Sequence, residues 1–375
     1  MEEKHKVAII AGQLVVGGAE KQLYLWLKHM DRSLFEPLVL TLHPGHGDYW
    51  EKPIEDLEIP LLRIPHDSNP IKRAWSIIQE LRLFKPDLIH GWHLFSGAYA
   101  GLVGQFLHVP AIGGLRSSLN VSEKSPEAII TRQLCKGIIA NSTEAVQSWM
   151  SRAPRRKKVF NIPNALSQDS LPRDDARSYL AEKYRINSDQ IWIGSIGRLD
   201  PLKRFDLLLS MLGRLNPSSM PVHLVLIGDG PELPNLRNQA ISLGLDDLVA
   251  FTGEIPEASR FLPAFDLFCF PSLSEGLPNV IIEAAAAGLP IVAWDLPFNC
   301  EILDSESAML LPAEDLDSFT DAVSQLIVFP DLRQELGKRA QERVLNEFDL
   351  DYYVKRMTSA YLDVLGKGAF GADSL

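Results

Sequence analysis

Short apolar runs alternate with longer amphipathic stretches along most of this chain, and that alternation restricts the folds open to it. Residues 7–11 (VAIIA), 37–43 (PLVLTLH) and 86–90 (PDLIH) read as buried strands. Uninterrupted apolar runs too short for a helix suit strands covered on both faces. Between them, 19–30, 71–84 and 96–107 read as helices; in 71–84 the apolar positions are Ile71, Trp75, Ile78, Leu81 and Leu83. The second half repeats the pattern, with strands at 191–196, 222–227, 250–252 and 267–270 and helices at 205–215, 232–241 and 278–287. Buried strands alternating with helices form parallel βαβ units. The expectation is therefore α/β, with two doubly wound domains.

The chain has 375 residues, a length that suits two or three domains. A first domain is expected at 1–165, a polar linker at 166–186 and a second domain at 187–347. The segment 348–375 carries a last amphipathic helix, to 365, which is expected to pack back toward the first domain. In doubly wound sheets, ligands gather outside the carboxyl ends of the strands. Two such domains are expected to face each other across a shared cleft.

Hydrophobic residues make up 46% and charged residues 23% of the sequence, which excludes a disordered chain. Cys135, Cys269 and Cys300 lie far apart without C-x-x-C spacing, so neither a disulfide framework nor a zinc site is expected. The first apolar run is too short for a signal peptide or a membrane span, and the expected location is cytoplasmic. Charge is uneven: 1–165 holds 20 Lys+Arg against 16 Asp+Glu, and 166–375 holds 17 against 32. The excess in the first part is too mild for a nucleic-acid binder. Its most basic stretch, Arg152, Arg155, Arg156, Lys157 and Lys158, suits peripheral contact with an anionic inner-membrane surface, or a solvated loop. Trp75 and Trp149 are expected in the core.

The most informative stretch runs from Pro271 to Val292. Pro278 suits the first helical position, and Gly288 with Pro290 suits the stop. The amides of Asn279 and Val280 would then point out of a helix N-terminus, where a phosphate is stabilised. Glu275 precedes this helix and Glu283 lies within it, placed for sugar or ribose hydroxyls; two solvated carboxylates are the plain alternative. Arg198 and Lys203, after the strand 191–196, suit a diphosphate, or a basic surface loop. Gly17 and Gly18 stand where strand one meets its helix and allow close backbone approach, or simply a tight turn.

Together, Glu275-x7-Glu283 within SEGLPNVIIEAAAAGLPIV, Gly197-Arg198-Leu199 with Lys203, and Gly228-Asp229-Gly230-Pro231-Glu232 resemble the retaining glycosyltransferase family four. Looser matches continue through Gly17-Gly18-Ala19-Glu20, Pro86-Asp87-Leu88-Ile89-His90, Ile139-Ala140-Asn141-Ser142 and Ile162-Pro163-Asn164. The resemblance implies the GT-B fold, a nucleotide-diphospho-sugar donor and no cofactor or metal. It implies that Arg198 and Lys203 grip the diphosphate, that Asn279 and Val280 cap it, and that Glu283 holds the ribose. It further places Glu275 on the transferred sugar beside Gly276 and Leu277, Gly253 and Ile255 around the base, and Gly17 and Gly18 near the phosphates. A glycan or lipid-linked acceptor would bind the first domain, in cell-surface polysaccharide synthesis, with uridine the first choice of base and guanosine the second.

The sequence departs from the family at three places. Members commonly carry a histidine five residues after the aspartate of the Pro-Asp strand, a slot that holds Trp92 here. His93 is expected to take the role at the anomeric centre, with His90 as the alternative; His90 and Arg116 are the candidate acceptor contacts. Asn164-Ala165-Leu166-Ser167 replaces the family's Asn-Gly-Val/Ile-Asp, and Arg204 follows Lys203 where glycine is frequent. The rival readings are a nucleotide-sugar epimerase on the same fold and a non-catalytic subunit that binds nucleotide-sugar and activates a partner.

Overall fold

Two parallel sheets organise the chain in a computed structural model that describes residues 4–43, 48–116, 125–152, 157–167, 169–215 and 221–368. The chain divides into two units, Met1–Ala165 with Leu350–Leu375, and Leu166–Asp349.

The first unit contains β1 (His5–Ala11), α1 (Gly18–His29), β2 (Phe35–Thr41), α2 (Glu51–Glu55), β3 (Leu61–Arg63), α3 (Pro70–Phe84) and β4 (Leu88–Gly91). It continues with α4 (Leu94–Leu107), β5 (Ala111–Leu115), α5 (Pro126–Leu134), β6 (Gly137–Ala140), α6 (Thr143–Met150) and β7 (Lys158–Asn161). The second contains α7 (Arg173–Tyr184), β8 (Ile191–Ile196), α8 (Phe205–Arg214), β9 (Val222–Ile227), α9 (Leu233–Ser242), β10 (Val249–Phe251) and β11 (Leu267–Phe270). Then follow α10 (Asn279–Ala286), β12 (Ile291–Trp294), α11 (Pro297–Cys300), β13 (Met309–Leu311), α12 (Leu316–Val328) and α13 (Pro330–Glu347), before α14 (Leu350–Leu365) completes the first unit.

The described strands order as β3-β2-β1-β4-β5-β6-β7 in the first sheet and β10-β9-β8-β11-β12-β13 in the second. Both run outward from the first strand in one direction and then in the other, the Rossmann-like arrangement. Central strands are buried on both faces: Val7, Ala8, Ile9 and Ile10 are fully buried, as are Leu224, Val225 and Leu226. Switch points fall between β1 and β4 and between β8 and β11, and the loops after those strands carry most of the candidate residues.

Three expectations are corrected here. The stretch read as a linker belongs to the second unit: α7 buries Ala176 and Leu180 among Trp192, Phe265 and Phe268. Arg177 fixes it by donating to the Ala264 carbonyl at 2.7 Å and the Asp266 carboxylate at 3.1 Å. Trp149 is buried as expected, but Trp75 is 46% exposed and meets Phe106 edge-on at 5.9 Å. Pro278 caps α10 rather than opening it, so Asn279 is the first helical residue. At the other end Gly288 adopts φ +72°, and its amide and that of Leu289 bond the carbonyls of Ala285 and Ala284, the left-handed stop that glycine favours.

Candidate functional site

On the second unit, backbone hydrogen bonds join the loops after β8, β9, β10 and β11. Leu199 donates to Asp229 at 2.9 Å, Glu232 to Leu199 at 3.0 Å, Gly228 to Gly253 at 2.9 Å, and Leu273 to Leu202 at 2.9 Å. Gly228 has φ +149°, and a Cβ there would stand 1.9 Å from the Gly197 carbonyl oxygen. A Cβ on Gly230 would stand 2.3 Å from that of Leu199. Only glycine lets these loops approach so closely, which gives the Gly-Asp-Gly sequence its physical meaning.

Lys203 closes the short turn Pro201–Lys203, where Asp200 accepts from the Leu202 amide at 3.0 Å. Its ammonium pairs with Oε1 of Glu275, and the Ser272 hydroxyl donates to that same oxygen at 3.0 Å. The two side chains are 20% and 16% exposed, so the pair is held within the rim rather than on a solvated loop. Arg198 is exposed, and its side chain has no polar partner among the described residues. Arg204, by contrast, is engaged with Asp206 and Glu314, and the hydrogen bonds it donates to Asp206 hold its pKa above the ordinary value. Its φ of +53° lies in the left-handed region that glycine adopts at least cost.

α10 begins beside this pair. Leu277 is buried in the core and fixes the approach to the helix, while Gly276, Asn279, Val280 and Glu283 remain half-buried. Helix geometry leaves the Val280 amide without an intrahelical acceptor. Gly253 has φ +73°, and Ile255 packs against the core of this unit.

In the first unit, His93 caps α4 with its amide donating to the Ser96 hydroxyl at 2.9 Å. Its Nε2 lies 3.3 Å from Oε1 of Glu20, with His93 29% and Glu20 12% exposed. Glu20 folds back over Gly17: a Cβ on that glycine would stand 2.2 Å from a Glu20 oxygen. Gly17 caps α1 and Gly18 opens it. Trp92 is fully buried, and its indole N–H donates to the Ala19 carbonyl at 2.8 Å. It thus braces the first turn of α1, which carries Glu20. Arg116 stacks on Trp92, its guanidinium 3.7 Å from the ring centre, with Nη1 3.4 Å from Oδ1 of Asn164. Burial lowers its pKa, opposed mainly by Tyr353, and it is no surface arginine.

One expectation fails in this unit. His90 is fully buried on β4, its Nδ1 2.7 Å from the Tyr361 hydroxyl. Burial, then Arg116, then His93 push its pKa well below the ordinary value. It is a neutral core histidine and leaves the candidate acceptor site. The basic stretch is partly consumed by the fold: Lys157 donates to the carbonyls of Gln133 and Cys135 at the end of α5, and Lys158 pairs with Asp363 at 2.8 Å. Arg152 is exposed; Arg155 and Arg156 lie outside the described residues. No helix among the described residues is long and apolar enough to cross a membrane.

Two family models tile the chain: Glycosyltransferase Family 4 over residues 16–169 and Glycosyl transferases group 1 over 177–343. The chain belongs to glycosyltransferase family 4. Among its relatives, the lipopolysaccharide core biosynthesis glycosyltransferase LpsE of Rhizobium meliloti is 33% identical over 178 residues, 46% of this chain and 48% of that one. An uncharacterized glycosyltransferase of Haemophilus influenzae is matched to a similar extent, 46% of this chain and 48% of that one; these matches span about half of either relative. LpsD of the same Rhizobium is 25% identical across 94% of this chain and 96% of its own.

Among solved structures, Anabaena Alr3699/HepE in complex with UDP and glucose superposes with a TM-score of 0.84 at 20% identity, covering 96% of this chain and all of that one. Sucrose-phosphate synthase of Thermosynechococcus elongatus gives 0.79 at 17% identity, covering 97% of this chain and all of that one. The fold is GT-B, with two Rossmann-like domains.

For this family 4 chain, sequence reasoning assigned no part to Glu20 or Ser272. Glu20 was visible in Gly17-Gly18-Ala19-Glu20, but its pairing with His93 depends on β1 and β4 lying side by side. Ser272 stands three residues before Glu275, a spacing that carries no signal until the loop is folded.

Proposed function

We propose that this glycosyltransferase is a retaining enzyme that moves a hexose or N-acetylhexosamine from a UDP-sugar to a cell-surface glycan, lipid-linked or small-molecule acceptor. GDP-sugars are the second choice of donor. The observation that carries the reading is the Lys203–Glu275 pair, oriented by Ser272 beside the start of α10. Within the folded chain each charge satisfies the other. A donor separates their tasks: Lys203 and Arg198 take the diphosphate oxygens, and Glu275 accepts from a hydroxyl of the sugar. The α10 amides of Asn279 and Val280 add a positive dipole end. Glu283 accepts from the ribose hydroxyls, Gly276 and Leu277 border the sugar, and Gly253 and Ile255 border the base.

The bond from the anomeric carbon to the diphosphate breaks, and a bond to the acceptor oxygen forms on the same face. Negative charge develops on the leaving diphosphate, where fixed cations and amides stabilise it most. His93, oriented by Glu20, and Arg116 serve the acceptor side. Relatives named for lipopolysaccharide core biosynthesis support a cell-surface glycan acceptor, and the HepE complex with UDP and glucose supports a uridine donor. Lys157 and Lys158 have partners within the fold, which leaves them less free to meet an anionic surface.

The test is a panel of UDP- and GDP-sugars with lipopolysaccharide core oligosaccharides, reading nucleotide release and the anomeric configuration of the product by NMR. Acceptor-dependent UDP release with a retained configuration is expected. An inverted product, or release that no acceptor stimulates, contradicts the proposal.

A further inference from the structure

A second group of titratable side chains lies on the first unit, outside the residues assigned above. His43 follows β2, His66 follows β3, and Arg73 lies in the first turn of α3. Arg73 is only 5% exposed. Its polar contacts among the described residues are the Asp67 carbonyl at 2.6 Å, His66 Nδ1 at 3.3 Å, the Tyr99 hydroxyl at 3.4 Å and His43 Nε2 at 3.5 Å. None is a carboxylate, and Nε is buried with no partner among the described residues. The guanidinium lies 5.8 Å from the ring centres of both Phe95 and Tyr99, and His43 stacks on Phe95 at 5.4 Å. Aromatic faces and one carbonyl offset part of the cost of burying a cation, and no carboxylate among the described residues supplies a counter-charge.

The proton arrangement follows from the donors. Arginine only donates, so His43 Nε2 and His66 Nδ1 accept from it. The contact between His43 Nδ1 and His66 Nδ1, at 3.3 Å, then has His43 as donor. His66 is exposed, and the N–H on its Nε2 meets no acceptor among the described residues. Among the described residues, the charged and titratable groups acting on His43 are Arg73 from α3 and His66 from the loop before it. The nearby Asp67 carboxylate accepts from the Asn69 amide at 2.8 Å. Burial first, then Arg73 and His66, lower the His43 pKa from its ordinary value. An arriving anion reverses the last two effects.

We infer that His43, His66 and Arg73 form a subsite for a phosphate-type oxyanion carried by the acceptor. The inference rests on the reading that the first unit binds the acceptor, and two contacts connect the cluster with the residues of that reading. The His43 amide donates to the Gly12 carbonyl at 3.0 Å, in the loop that leads to Gly17 and Glu20. Phe95, stacked on His43, stands two residues after His93. A guanidinium and two imidazoles supply donors and up to three positive charges, which suits a phosphate ester better than a neutral hydroxyl. The ester can be a soluble sugar phosphate or a lipid headgroup.

The test follows the histidine ring signals of the full chain by NMR during titration with glycerol 3-phosphate, with glycerol as the uncharged control. Saturable shifts of His43 and His66 with the phosphate alone are expected. His66→Gln, at an exposed position, weakens binding roughly threefold to tenfold, and Arg73→Met weakens it more than about tenfold. If Arg73→Met does not fold, His66→Gln decides the matter. Sulfate, whose charge is constant from pH 8 to 6, binds more tightly at pH 6, because the bound anion favours protonated His43. A parallel arm uses phosphatidylglycerol vesicles. Tighter, His66-dependent binding to vesicles assigns the headgroup as the source, and tighter binding to glycerol 3-phosphate assigns a soluble ester. Absent shifts, or affinities equal in wild type and both variants, overturn the subsite. UDP binding in the same samples reports separately on the donor reading.

Discussion

Gly228 shows how much of the second unit's rim depends on single residues. Its positive φ and the 1.9 Å approach to the Gly197 carbonyl leave no room for a side chain. Gly228→Ala is expected to cost more than about 2 kcal/mol and to weaken nucleotide binding, because it pushes apart the loops that carry Arg198 and Gly253. Denaturant unfolding and a nucleotide titration check both effects; an alanine variant of wild-type stability contradicts the packing described. The placement of Glu275, Glu283, Arg198 and Lys203 in the second unit was legible because each sits at a fixed offset from a strand end or a helix start. The candidate residues of the first unit were less legible. His90 and His93 are three residues apart on the same strand end, and only burial separates the core histidine from the one that meets Glu20. The roles of Lys157 and Lys158 were equally hidden, since their partners lie on α5 and α14.

At the scale of elements, α14 shows what distant sequence contributes to the first unit. It buries Tyr353, Met357, Ala360, Tyr361 and Val364 among Trp26, Phe35 and Trp92. The Tyr361 hydroxyl accepts from the Trp26 indole at 3.1 Å and meets His90 Nδ1 at 2.7 Å. Tyr361→Phe strands both buried groups and is expected to destabilise by about 2–3 kcal/mol, read as a lowered urea midpoint; an unchanged midpoint contradicts the buried network. The helix itself was readable from its apolar spacing. α7 was not, because it is mostly polar and only Ala176 and Leu180 are buried. α12 and α13 also went unread. In α13 the buried positions are Leu336, Gly337, Ala340 and Val344 in a charge-rich stretch, and two of these four are glycine and alanine, which contribute little apolar signal.

For the whole molecule, pH links the core to stability in both units. His223 on β9 is buried, with Nε2 unpartnered, and burial lowers its pKa to about 4 from 6.5. Between those values the unfolded chain binds a proton that the folded chain refuses. Stability is therefore full above about pH 6.5 and falls as pH drops toward 4, by up to about 3 kcal/mol from this residue. His90 acts in the same direction in the first unit. His223→Leu is expected to flatten the decline in urea midpoint between pH 6.5 and 4.5, and an unchanged slope contradicts the assignment. The parallel α/β architecture was legible from alternation alone, whereas the membership of residues 166–186 in the second unit was not, because α7 looks like a linker until its two apolar side chains find the second core.

The central claim is that the loops around Lys203 hold a nucleotide diphosphate. Calorimetric titration of UDP into the wild type and into Lys203→Ala tests it most directly, with circular dichroism to confirm that both are folded. Saturable binding to the wild type and a loss of roughly tenfold or more in the variant are predicted, the cost of removing a charged hydrogen-bond donor. Equal UDP affinity in two folded proteins, or no binding to the wild type, contradicts it.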